Sequence, residues 1–508
     1  MSELSETKLK ERVIQTVSHN TLYGYAAMVW SAFLGFWATP YILRFLGNER
    51  YALWGIALSA FGVATFFDIG LGSALVLFIA EKRVRGTSSE VNATINSALT
   101  LYFCFGILGG LFLVGGGRLI VEYFLKVSPE FRGLATSILS IYGFLFMVQM
   151  PAKVYEDVLI GMQRLDITNK TGICVRTVER LLVVVLLMRR VSLLNVVALS
   201  GCVGLSLYFI EFFLVKRLIP DYRLRFGFRS EDARVLFLTG GQQFIASLGY
   251  IFVGVIDRFL LGSLLHVSMV TFYELATRPS QLLYQLSLRF FQPVYPATTE
   301  LNAHEQKEKL RSLFKKGTKI LFVFLTPLAW FAFFWAEALI HFWVGPGYEL
   351  SAQMLRVLTV NYFVLSLNVV PSAMMFGLNK AWILSGESLL RIFLNLVLSF
   401  VLITRMGALG APYGLTFASL LTTPIFFVWM AREVGIKIKE LFLEVLMFPL
   451  LIVCIGSLFF IRGPLRVLPS FWRFSIFTIF FLFGSLFFYI GRNESARLLR
   501  AVFARTKG

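Results

Sequence analysis

Five arginines fall where a positive charge is costly. Arg176 and Arg180 lie one helical turn apart in a stretch that turns apolar from Leu181 to Met188. Arg278 and Arg289 share a second apolar stretch, and Arg391 lies in a third. An ionised side chain at the bilayer centre costs at least about 2.5–3.5 kcal/mol, so such groups face a cavity or a partner. Arg289 follows Arg278 by close to three α-helical turns, which puts both on one face. Carboxylates stand at pairing distance along the chain. Glu179 adjoins Arg180, Glu274 is at i−4 from Arg278, and Glu387 is at i−4 from Arg391. One reading is simple structural pairing. The other is a positively charged central cavity, because guanidinium offers bidentate donors to phosphate and is never deprotonated. Arg176 and Arg180 must share Glu179, and Arg289 has no acidic residue at i±3 or i±4. A net positive lining is therefore expected, and it suits an anionic substrate better than a cationic drug.

Asp68 sits in Asp68-Ile69-Gly70-Leu71-Gly72, deep in an apolar stretch. The motif reads either as close helix contact with a capping-type Asp or as a proton or cation relay. Glu211, Asp257 and Glu337 fall near stretch ends, where water reaches them, and read as ordinary. Cys104, Cys174, Cys202 and Cys454 are scattered in apolar runs and read as small core residues, and the four histidines are equally dispersed. No metal site or cofactor motif is expected. Trp30, Trp37, Trp54, Trp335, Trp343 and Trp472 read as an interfacial belt.

The elements that must hold these residues are membrane helices. The chain has 508 residues, 57% hydrophobic and 15% charged, with 53 Phe, and its mean hydropathy is +0.74. A soluble protein would carry roughly 25% charged residues. Apolar runs of span length recur near 19–43, 51–80, 93–117, 131–152, 167–188, 192–215, 235–262, 268–294, 317–343, 351–377, 381–404, 409–430, 441–461 and 471–491. The expected fold is all-α and polytopic, with about fourteen spans and no soluble domain. The short alternating segments of a membrane barrel are not seen. The N-terminus is charged and lacks an apolar core, so no signal peptide is expected.

The net charge of +19 is read as topology rather than nucleic-acid binding. With both termini cytoplasmic, 30 Lys and Arg fall in inside segments and 11 in outside loops. Removing the charged fifth span would move both of the most basic connections, 216–234 and 296–319, to the outside, against the positive-inside rule.

An internal repeat divides the chain. Val127-Ser128-Pro129-Glu130-Phe131 with Ala135 matches Val344-Gly345-Pro346-Gly347-Tyr348 with Ala352, at an offset of 217. Gly161-Met162-Gln163-Arg164 matches Gly377-Leu378-Asn379-Lys380 at 216, each downstream of a proline (Pro151, Pro371), and Arg44-Phe45-Leu46 matches Arg258-Phe259-Leu260 at 214. The expected domains are an N-lobe over 1–216, a cytoplasmic linker over 217–234 and a C-lobe over 235–431. Two further spans cover 432–491, and a basic tail covers 492–508. Six spans per lobe make the lobes like-oriented around a central cavity, where transporters of this design bind substrate. External connections are short, and no nucleotide cradle or Ser-His-Asp arrangement appears, so no enzyme activity is expected.

Leu46-Gly47-Asn48-Glu49-Arg50-Tyr51-Ala52-Leu53-Trp54, Asp68-Ile69-Gly70-Leu71-Gly72, Gly161-Met162-Gln163-Arg164 and Ile256-Asp257-Arg258-Phe259-Leu260-Leu261-Gly262 together resemble the polysaccharide transporter family. These are the O-antigen-type flippases of the multidrug/oligosaccharidyl-lipid/polysaccharide exporter superfamily. The resemblance runs the whole chain in order. It implies a flippase moving a polyprenyl-pyrophosphate-linked oligosaccharide across the inner membrane for surface polysaccharide synthesis, with a polysaccharide polymerase and a chain-length regulator as partners. The alternatives are a lipid II flippase, a proton- or sodium-coupled drug antiporter, or a non-transporting membrane scaffold.

Overall fold

The computed structural model describes residues 2–64, 70–85, 87–227, 229, 236 and 255–440. Among them every regular element is helical. Asp68, the two spans expected over 441–491 and the tail over 492–508 lie outside the described residues, as does part of the 217–234 linker. The chain divides into two compact units, Met1–Thr271 and Phe272–Gly508.

The first unit begins with α1 (Ser2–Ala64), α2 (Leu71–Arg85) and α3 (Ser88–Leu119), the last prolonged by a π-turn over Ile120–Phe124. It continues through α4 (Pro129–Ala152), α5 (Val154–Gly161), α6 (Leu165–Met188) and α7 (Leu193–Leu218). The loop expected between the first two spans is helical. α1 runs through it and bends at Gly47, whose φ of 70° is open to glycine without strain. A capping box starts α3: Thr87 accepts from the Glu90 amide and Glu90 accepts from the Thr87 amide at 2.9 Å. Pro129 fits the first turn of α4, where its missing N–H is no loss. α3 and α4 cross with their backbones close. A Cβ on Gly110 would lie 2.7 Å from the Gly143 carbonyl oxygen, and one on Gly143 would lie 2.8 Å from that of Gly110.

The second unit holds α8 (Ser268–Ser287), which starts just before the division, a 3-10 turn over Leu288–Phe290, and α9 (Phe291–Ala303). Then follow α10 (Lys307–Phe334), α11 (Ala336–Val344), α12 (Glu349–Leu367), α13 (Val369–Gly377), α14 (Ala381–Met406) and α15 (Gly410–Val434). Its core joins Phe314, Phe322 and Leu325 of α10 to Val370 and Met374 of α13 and to Phe426 and Met430 of α15. Gly410 and Gly414 set the α15 backbone directly against Leu402, Ile403 and Ser399 of α14.

Seven helical stretches among the described residues are long and apolar enough to cross a membrane: Ala26–Gly62, Ser89–Phe124, Pro129–Gly161, Leu193–Leu218, Lys307–Phe334, Glu349–Gly377 and Trp382–Val434. The last contains both α14 and α15. The protein is thus a multi-pass membrane protein. α6 misses that set because of Lys170, Arg176, Glu179 and Arg180, yet its 24 residues reach about 36 Å. α4 ends at Ala152, where the fourth span was expected to stop, and the short α5 carries the apolar helical stretch on to Gly161. Pro151 stands in the last turn of α4, and Lys153 forms the turn between the two helices.

One matched pair of segments adopts the same backbone in both halves, whereas Ser128 at φ −55° and its counterpart Gly345 at φ 91° differ. Gly161 ends α5 and Gly377 ends α13, and the third residue of each turn is left-handed, Gln163 at φ 61° and Asn379 at φ 57°. Arg164 N donates to Leu159 O at 2.9 Å, and Lys380 N donates to Met375 O at 2.8 Å. Both glycines also lie against a neighbouring backbone. A Cβ on Gly161 would be 2.9 Å from Val76 O, and one on Gly377 would be 3.0 Å from Tyr295 O.

Two burial expectations are corrected. Cys104, Cys174 and Cys202 are exposed, not core, because an apolar stretch in a membrane helix can face lipid as readily as protein. Trp54 is buried and donates from Nε1 to Tyr142 Oη at 2.7 Å, so it belongs to the interior and not to the belt.

Candidate functional site

Several charged side chains of the first unit lie on α5, α6 and α7. Asp157 of α5 is buried among neighbouring helices. Tyr102 of α3 donates from Oη to Asp157 Oδ2 at 2.8 Å, and Lys153 donates to the same oxygen at 3.3 Å. The Lys153 ammonium also stands 5.7 Å from the centre of the Tyr102 ring. α2 closes over this cluster at Gly72, where a Cβ would meet Asp157 Oδ2 and Lys153 Nζ at 2.9 Å and Tyr102 Oη at 3.0 Å. The second glycine of the Asp68–Gly72 motif thus makes room for a partly buried ion pair.

On α6, Arg180 and Arg176 both act electrostatically on Glu179, as their spacing implies. Arg176 is exposed, and Arg180 and Glu179 are half-buried. Trp30 of α1 donates to Thr177 Oγ1 at 2.7 Å and fixes this part of α6 against α1. On α7, Glu211 is fully buried, and neither carboxylate oxygen has a hydrogen-bond partner. The expectation that water reaches Glu211 is therefore wrong, as it is for Asp257, which is also buried. Glu337 is exposed and pairs with Arg356 at 2.9 Å.

In the second unit Arg278 and Arg289 are half-buried, and Glu274 is buried. The 3-10 turn at Leu288–Phe290 rotates each residue about 20° further than an α-helix does. Arg289 lies within that turn, just past the end of α8. Arg391 is buried and lies 3.2 Å from Glu387 on α14, the ion pair that i,i+4 spacing predicts. Arg176 and Arg180 thus share Glu179 on α6, and Arg391 pairs with Glu387 on α14.

The Leu46–Trp54 motif forms a clasp around the start of α4. Gly47 supplies the bend, and the Asn48 carbonyl accepts from Thr271 Oγ1 at 2.6 Å. Glu49 accepts from Ser128 N at 3.0 Å and from Ser128 Oγ at 2.9 Å, so a carboxylate caps α4 where the helix dipole favours it. The Arg50 guanidinium stands 5.3 Å from the centre of the Phe131 ring. Nothing in the sequence alone linked Glu49 to Ser128. The Asp157 cluster did carry a signal, since the 216 offset aligns Gly161 with the end of a span at Gly377. Among the described residues no group of three or more His, Cys, Asp or Glu could hold a metal ion.

A family model described as "Polysaccharide biosynthesis protein" matches residues 42–353. A putative O-antigen transporter of Shigella flexneri is 24% identical over 406 residues, covering 77% of this chain and 91% of that protein. The uncharacterized membrane protein EpsK of Bacillus subtilis is 24% identical over 447 residues, 84% of this chain and 85% of that one. Among solved structures, the lipid II flippase MurJ in an inward closed conformation superposes with a TM-score of 0.65 at 14% identity, covering 92% of this chain and 98% of that chain. An inward-facing multidrug resistance MATE family transporter of the MOP superfamily gives a TM-score of 0.62 at 15% identity, covering 82% and 94%. At these identities the structures establish the fold alone.

Proposed function

The chain belongs to the polysaccharide biosynthesis protein family, and from that premise we propose that it is a flippase for a polyprenyl-pyrophosphate-linked oligosaccharide. It works by alternating access in the cytoplasmic membrane, with both termini inside, in surface polysaccharide synthesis. The observation that carries the reading is the family match over 42–353, in a chain similar along 77% of its length to a putative O-antigen transporter. The charge chemistry supports it. Arg176 and Arg180 outnumber the Glu179 they share, and Arg278, Arg289 and Arg391 supply further guanidinium in the second unit. A pyrophosphate is a natural counter-ion for such groups in a site screened from water. Asp68 is the candidate ion-coupling carboxylate, and a polysaccharide polymerase and chain-length regulator are the candidate partners.

Purified protein in vesicles should move a polyprenyl-pyrophosphate glycan between leaflets, and deletion should accumulate that lipid on the cytoplasmic side. Arg→Lys at the five positions should weaken transfer less than Arg→Ala, because Lys keeps the charge and loses the fork. Transfer of lipid II or of cationic drugs, with none of the glycolipid, would replace this reading by that of a lipid II flippase or drug antiporter. Binding without any transfer would indicate a scaffold.

A further inference from the structure

Glu211 is the one carboxylate among the described residues that is wholly buried, outside any ion pair, with neither oxygen hydrogen-bonded. The groups that act on it come from two neighbouring helices. α5 presents Glu156 and Asp157, both of like charge, and α6 presents Arg176. On its own helix Tyr208 lies one turn earlier, and the Tyr208 hydroxyl accepts from Gln149 Nε2 of α4 at 3.0 Å. Lys153, between α4 and α5, is engaged with Asp157. A carboxylate in these surroundings has no donor and has like charge nearby. Burying an ion without a partner costs several kcal/mol or more, and carboxyl groups escape that cost by taking up a proton.

We propose that Glu211 is a proton-exchange site, held as the neutral acid in this conformation and ionised when water reaches it. In the exchange the O–H bond breaks, the electron pair stays on the carboxylate, and the proton passes to water. Arg176 is the opposite charge placed to receive the new carboxylate. A metal cation is the poorer occupant, since no metal-holding group of His, Cys, Asp or Glu includes Glu211 among the described residues. In transport, the site couples a proton to the change of conformation that wets α7. That consequence rests on the flippase reading, whereas the protonation itself does not.

The test has two independent arms on the full chain in lipid nanodiscs or vesicles. Infrared difference spectra between acid and alkaline buffer should show a protonated-carboxyl band that Glu211→Gln removes and Glu211→Asp shifts. A wild-type spectrum without such a band, or a band unchanged in Glu211→Gln, overturns the proposal. In vesicles, the ratio of glycolipid transfer with and without an imposed pH gradient should exceed unity for wild type and fall to unity for Glu211→Gln. A ratio unaltered by the substitution, or a response to a sodium gradient at equal pH that Glu211→Gln abolishes, also overturns it. If no glycolipid moves at all, the flippase reading fails while the infrared arm still decides the proton site.

Discussion

Gly72 and Asp157 are held so close that a Cβ on the glycine would stand 2.9 Å from the carboxylate oxygen Oδ2. The atoms it would meet are the ends of side chains, so Gly72→Ala opens the Tyr102–Lys153–Asp157 cluster instead of shifting a backbone. Gly72→Ala and Asp157→Asn should therefore be coupled by about 0.5–3 kcal/mol in a double-mutant cycle. Additive losses of thermal stability in detergent would show that the two residues do not share a site.

Gly161 and Gly377 meet backbone oxygens, which cannot turn aside. Gly161→Ala and Gly377→Ala should each destabilise the protein by about 1–3 kcal/mol. Gly386, inside α14 with nothing within 4 Å of its would-be Cβ, is the control. Gly386→Ala should be neutral or stabilising by up to about 1 kcal/mol. Equal melting shifts for all three would remove the close-approach argument.

The Glu387–Arg391 pair is buried on both sides. Removing one partner strands the other, at a cost of about 3–5 kcal/mol. Arg391→Met or Glu387→Leu alone should lower the unfolding temperature sharply, and the double variant should recover most of the loss. A double variant as unstable as the worse single one would contradict this.

Glu90 closes the capping box of α3, and its hydrogen bond with the Thr87 amide holds its carboxyl below the usual glutamate range. A carboxyl lowered in the folded state adds stability above its unfolded-state value and loses it as pH falls through the folded one. Amide exchange at the start of α3, corrected for intrinsic rate, should accelerate as pH drops through the acid range. In Glu90→Gln that pH dependence should vanish.

Much of this protein is legible in its sequence because the bilayer imposes length and polarity on each helix separately. Apolar runs of span length, the basic bias and the Gly161/Gly377 match need no knowledge of neighbours. The Arg391–Glu387 pair and the sharing of Glu179 also follow from helical spacing along one element. The end of α4 at Ala152 is legible from Pro151, whereas the continuation into α5 is not.

What the tertiary structure alone decided is which side of each helix meets protein. Glu211, Asp257 and Trp54 looked peripheral and are interior, while Cys104, Cys174 and Cys202 looked interior and are exposed. In water, apolarity predicts burial. In a bilayer the lipid is as apolar as the core, so hydropathy no longer separates the two faces. Only the partners across helices, Tyr102 for Asp157, Ser128 for Glu49 and Tyr142 for Trp54, make that distinction. They lie far apart in the chain, where no periodicity along one helix can register them.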